Sequence, residues 1–130
     1  MKAMVLVALL AGPAAAQDYT EADGGILRWL DKLTSETGDL VLSRGQAASI
    51  GRLNVQLDSC RYPTDNPVSD ADAHLTIVDS SINGAVFNGW MLASSPALSA
   101  LDDPRYDVWV LRCIIPEAAM PPATAEGTGP

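Results

Sequence analysis

Residues 52–57 (RLNVQL) alternate strictly, with Leu53, Val55 and Leu57 toward one side and Arg52, Asn54 and Gln56 toward the other. A period of two sends successive side chains to opposite faces of a strand, whereas a helix would scatter them around its axis. Such a segment is stable with one face on a core and the other in solvent, so the chain is committed to a sheet. Its neighbours agree. Residues 74–79 (HLTIVD) read as a strand, and Asn83-Gly84 is a hairpin turn leading into residues 86–93. The apolar residues of 26–33 (ILRWLDKL), at 26, 29, 30 and 33, fit a helical stripe, and strand alternation fits less well. The turn residues at 34–38 and the apolar run at 39–43 favour a hairpin. Residues 107–115 (DVWVLRCII) are apolar on both sides and predict a central strand covered on both faces, with Trp109 in the core. Ser95-Pro96 is a helix start, an N-cap followed by a proline at the first helical position, cut short by Pro104. Residues 61–71, with Pro63 and Pro67, predict a loop. The fold expected is all-β: a small β-sandwich or partly open barrel of five to seven strands, with one short helix and one disulfide.

The ends are of a different kind. Met1-Lys2 and an apolar run of about ten residues precede Pro13 and the small residues Ala14, Ala15 and Ala16. That order is a signal peptide, 1–16, cleaved after Ala16, and its run is too short for the roughly 20 residues a ~30 Å hydrocarbon core requires. A buried N-terminal helix is the competing reading. Residues 17–24 (QDYTEADG) predict a flexible leader, 25–115 the β-domain, and 116–130 a disordered Pro/Ala/Gly tail. Export to the periplasm makes Cys60 and Cys113, an even pair in an oxidising compartment, a disulfide by default. Two free redox thiols are the alternative, without a C-x-x-C motif to support it. Strict alternation from residue 53 would aim Cys60 at solvent, so a bulge or strand end near Asp58-Ser59 must re-aim it.

Sixteen acidic residues against eight basic ones exclude a phosphate-binding face, hence nucleic acid, and disfavour anionic lipid. No second run is long and apolar enough to span a membrane. One His and two Cys leave little for zinc. A Ser94 or Ser95 triad with His74 lacks the G-x-S-x-G setting, and sixteen acids make some carboxylate pair inevitable. No catalytic residue and no cofactor are assigned. Asp65, Asp70 and Asp72, with Asn66 and His74, are dense enough in oxygen ligands to be Ca²⁺ candidates, although the spacing is not that of an EF-hand loop. Trp90, beside Gly89, and the Arg105-Tyr106 pair are candidate partner-binding residues, being of the types that dominate interfaces.

Residues 30–34 (LDKLT), 60–63 (CRYP), 89–101 (GWMLASSPALSAL) and 104–113 (PRYDVWVLRC) resemble, in that order, an alphaproteobacterial family of secreted proteins known as domain of unknown function 2155. The likeness spans about residues 26–113; Leu92 stands where an aromatic is expected and Asp103 where a His is common. It implies export and paired cysteines, and brings no catalytic residue. It also implies a neighbourhood with respiratory NADH:quinone oxidoreductase, whose accessory-subunit gene often lies beside genes of the family. The function expected is that of a non-catalytic periplasmic accessory or interaction protein, with a protein partner such as a membrane-embedded respiratory or envelope complex. The alternative is a periplasmic carrier of a small molecule or Ca²⁺.

Overall fold

The computed structural model describes residues 17–120, with Ala3 and Gly12. The signal peptide expected at 1–16 and residues 121–130 of the expected tail therefore lie outside the described residues, those two positions aside. Among the described residues eight strands form: β1 (Tyr19–Glu21), β2 (Gly24–Asp31), β3 (Thr37–Ser43), β4 (Ala47–Ile50), β5 (Leu53–Pro63), β6 (Asp72–Asp79), β7 (Gly84–Leu92) and β8 (Tyr106–Cys113). They make two antiparallel sheets. In one, β5, β6 and β7 lie side by side, and β1 and β4 share the other edge of β5. The second sheet has the order β3-β2-β8. The architecture is the expected all-β sandwich, with no closed barrel.

The core is the alternation made physical. Leu53, Val55 and Leu57 of β5, Ala73, Leu75 and Ile77 of β6, and Leu27, Val108 and Val110 of the facing sheet are all buried. The 26–33 ambiguity resolves to a strand, because β2 pairs with both β3 and β8. A helix there would have left both neighbours unpaired. The register of β5 against β6 shifts between Leu57 and Ser59, and beyond that bulge Cys60 is fully buried. The re-aiming that the alternation required is thus present. Cys60 bonds to Cys113 across the two sheets, with 5.7 Å between their Cα atoms. The bridge lies over Gly25, where a Cβ would stand 3.0 Å from the Cys60 sulfur.

Four expectations are corrected. The leader is not loose: Tyr19–Glu21 pairs with residues 61–63 of β5, and Ala22 is buried. The loop begins later than expected, because β5 runs on to Pro63, its last residue, where no further ladder N–H is needed. The helix expected after Ser95 is one turn, from the Leu98 N–H to the Ser95 carbonyl; the helical piece among the described residues is a 3-10 turn at Glu117–Ala119. Finally, β8 is an edge strand, not a central one. Trp109, on its outward face, is half-buried because the connection between β7 and β8 runs beside it. Pro96, Ala97 and Leu101 face Val108 and a half-buried Trp109 across a 350 Å³ cavity.

Candidate functional site

The outer face of the five-stranded sheet carries a cluster that the strand register assembles. Once Cys60 turns inward, Arg61 must turn outward, and it lies opposite Glu21 of β1 and Asp72 of β6. His74 of β6 lies opposite Trp90 of β7. The Arg61 guanidinium sits 4.2 Å from the centroid of the Trp90 ring and 5.0 Å from that of Tyr19. It is held between two aromatic faces while Asp72, buried beneath, approaches at 3.4 Å. The His74 ring meets Trp90 edge-on at 5.1 Å. Trp90 remains 36% exposed, which for so large a ring is a substantial apolar surface in water.

Behind Trp90 the bulge residue Asp58 organises a polar net. Its Oδ2 accepts from the Thr76 hydroxyl at 2.6 Å and lies 2.8 Å from His74 Nδ1, and its Oδ1 accepts from Gln56. Burial pushes the Asp58 carboxyl up, but the hydrogen bonds from Thr76 and His74 outweigh it and hold the group below the usual carboxylate range. A charged carboxylate thus fixes the imidazole whose ring supports Trp90.

Arg105 and Tyr106 belong to the opposite end of the sandwich. Trp90 stands level with Ser59, and Tyr106 packs under Gly51 beyond Leu53. Six residues of strand, roughly 20 Å, separate the two. Tyr106 is buried, its hydroxyl filling the space a side chain at Gly51 would need, where φ is +54°. The Arg105 guanidinium lies on the Asp31 carboxylate, 2.9 Å from Nη2 to Oδ2. Arg52 joins Asp79 and Asp103, both buried. These residues lock the β2–β3 turn, the β4–β5 turn and the entry to β8 together; they do not form one surface with Trp90.

The lock is acid-labile, and the sign follows from Asp31. Hydrogen bonds from Arg105 lower its carboxyl to about 2, against an ordinary 3.8. A group whose folded value is depressed favours folding above its unfolded value, and that contribution disappears as pH falls through the folded one. Melting temperature should therefore hold from neutrality down to about pH 4 and drop between about pH 4 and 2. In Asp31→Asn, that acid drop should be shallower and stability at neutral pH lower. Thermal melts across this range check it.

The acidic loop does not gather its carboxylates. Asp70 accepts from the Ser94 hydroxyl and from the backbone of Ala71 and Ser94, Asp72 lies under Arg61, and Asp65 is exposed. Among the described residues no group of three His, Cys, Asp or Glu side chains is placed to hold a metal ion. The residues of a notional triad are divided too: Ser94 is held by Asp70 and His74 by Asp58. A 480 Å³ cavity opens near the disulfide, between Pro67, Val68 and the residues Leu111, Ile114 and Ile115. Tyr19, Arg61 and Asp58 escaped the sequence reading, although the parity of Cys60 after its bulge was a signal for Arg61.

The family model described as an uncharacterised protein conserved in bacteria (DUF2155) matches residues 25–113. An uncharacterised protein of Rickettsia prowazekii (strain Madrid E), RP359, is 28% identical over 103 residues, covering 77% of this chain and 64% of its own. The chain thus spans a little under two thirds of that relative's length. No solved structure matches.

Proposed function

The chain belongs to the family of uncharacterised proteins conserved in bacteria, DUF2155, and from that membership we propose an exported, non-catalytic interaction domain of the periplasm that docks on a protein of the cell envelope. The observation that carries this reading is Arg61 clamped between Tyr19 and Trp90 on an exposed sheet face. Arg, Trp and Tyr dominate binding energy at protein interfaces, and side chains fixed before contact lose little entropy on binding. The disulfide supports an oxidising compartment. The described residues include no helix long and apolar enough to cross a membrane. The envelope complex to test first is respiratory NADH:quinone oxidoreductase.

The test is affinity purification from native membranes after mild detergent extraction. The tagged wild type should bring down a defined complex. Trp90→Ala should weaken its recovery by at least about tenfold, as hot-spot truncations do, without lowering the melting temperature; Arg61→Ala should weaken it as much, and should also lower the melting temperature because it leaves the buried Asp72 unpaired. Recovery of the tagged protein alone counts against the proposal.

A second reading, carriage of a small apolar molecule, is favoured by the 480 Å³ cavity beside Val68 and Ile114, which is within the size range of ligand sites. The Ca²⁺ form of that reading loses its support with the dispersal of Asp65, Asp70 and Asp72.

A further inference from the structure

The outer edge of β7 runs beside the Trp90 cluster with its backbone unpaired, and we infer that the partner proposed above adds an extended segment of its own there, as a further strand of the five-stranded sheet; the inference rests on that docking reading. β7 ends the order of the sheet. The Ala93 N–H donates to the Ala71 carbonyl at 2.8 Å, which fixes the phase of the ladder. Met91, Gly89 and Phe87 therefore exchange bonds with β6, and Asn88 and Trp90 turn their N–H and C=O groups away from it. Among the described residues no hydrogen bond reaches them there. Both residues are exposed. The connection that leaves β7 takes the Leu92 carbonyl, which accepts from Ser95, and then runs beside β8 in the other sheet. Natural edges are guarded by lysines, prolines, charges or bulges. Residues 84–92 (GAVFNGWML) contain no proline and no charge, and the bulge of this strand lies back at Ala85–Val86, so the edge is regular from Phe87 to Leu92.

What fits such an edge is another polypeptide. Asn88 and Trp90 each offer a donor and an acceptor, repeating at roughly 7 Å, the spacing of alternate residues along a strand. An extended chain matches that repeat with its own backbone, and its side chains supply the selectivity. Charge sets the composition of the segment. Arg61 already lies on Asp72, Arg44 on Glu21, and Asp58 is held by Thr76 and His74. A charge laid on Trp90 by the partner would be desolvated without a match. The segment is therefore uncharged over about five residues. One set of its side chains lies on the outer face beside Trp90 and Asn88. The alternate set points inward past Phe87, which is half-buried and packs on the core, its ring 3.7 Å from where a Cβ on Gly89 would stand. Apolar side chains are required on that inner side.

The envelope complex recovered with the tagged chain is compared with the free chain by amide hydrogen exchange. The Asn88 and Trp90 amides, unbonded in the free protein, should exchange at least about tenfold more slowly in the complex. This measurement needs no variant, so it decides the matter even where a substitution in β7 unfolds the strand. Asn88→Pro removes one outward N–H and sets a ring against the added segment, and should lower recovery of the complex at least about tenfold. Its control is Val41→Pro. The Asp31 N–H donates to the Glu36 carbonyl, so Val41 of β3 likewise turns its N–H away from β2, at an exposed position in the other sheet. That proline should leave recovery unchanged. A complex in which both amides exchange as in the free chain overturns the inference and spares the docking reading, as does equal recovery with the two prolines. Recovery of the tagged chain alone overturns both.

Discussion

Reduction of the Cys60–Cys113 bridge, or its replacement by paired serines, is expected to lower the melting temperature by roughly 15–30 °C. The bridge closes a span of 53 residues that holds β6, β7 and most of β8. Opening it frees the unfolded chain by about 4 kcal/mol on the loop-entropy model, out of the ~5–15 kcal/mol typical of a domain. It also joins the two sheets directly, and its sulfur occupies the space over Gly25. Both cysteines are in the bridge, so in the oxidised protein no thiol should react with an alkylating agent, native or denatured, until a reductant is added. Two thiols that label readily in the native protein would refute the structural role.

Asp103→Ala should cost about 3 kcal/mol at neutral pH, as expected when a buried carboxylate is removed from its partners. Asp103 is 5% exposed and accepts from the backbone N–H groups of Arg105 and Tyr106 at 2.9 and 2.8 Å, and from Arg52. Alanine leaves two amides and part of a guanidinium without their acceptor, just where the connection enters β8. Asp103→Asn, which keeps one acceptor oxygen, should cost less. Chemical denaturation of the three proteins measures the difference. Equal stability for wild type and alanine variant would mean that water replaces the carboxylate without penalty.

What the sequence could and could not disclose follows from where the information lies. Alternation along one segment is local, so the six longer strands and the bulge beside Asp58 were legible from residues 26–115. The strands β1 and β4 were not, because three and four residues carry too little periodicity to register. The edge position of β8 was hidden for another reason. Val108 and Trp109 meet Pro96, Ala97 and Leu101, and burial by a connection leaves the same composition as burial by a sheet. Arg105 and Tyr106 have the chemistry of an interface but serve a lock with Asp31 and Gly51, a use set by partners 74 and 55 positions away. The same holds for the site. Trp90 could be singled out alone, but its pairing with Arg61 and Tyr19 depends on the register of four strands and on one bulge.

The central claim, that the outer face of the five-stranded sheet is the docking surface, is tested most directly by photo-cross-linking in living cells. A cross-linking residue at Asn88, exposed on β7 near Trp90, should capture one discrete envelope protein, and Arg61→Ala in the same chain should abolish the adduct. The same residue at Val41, exposed on the opposite sheet, should capture nothing. No adduct from Asn88, or the same adduct from Val41, would contradict the account.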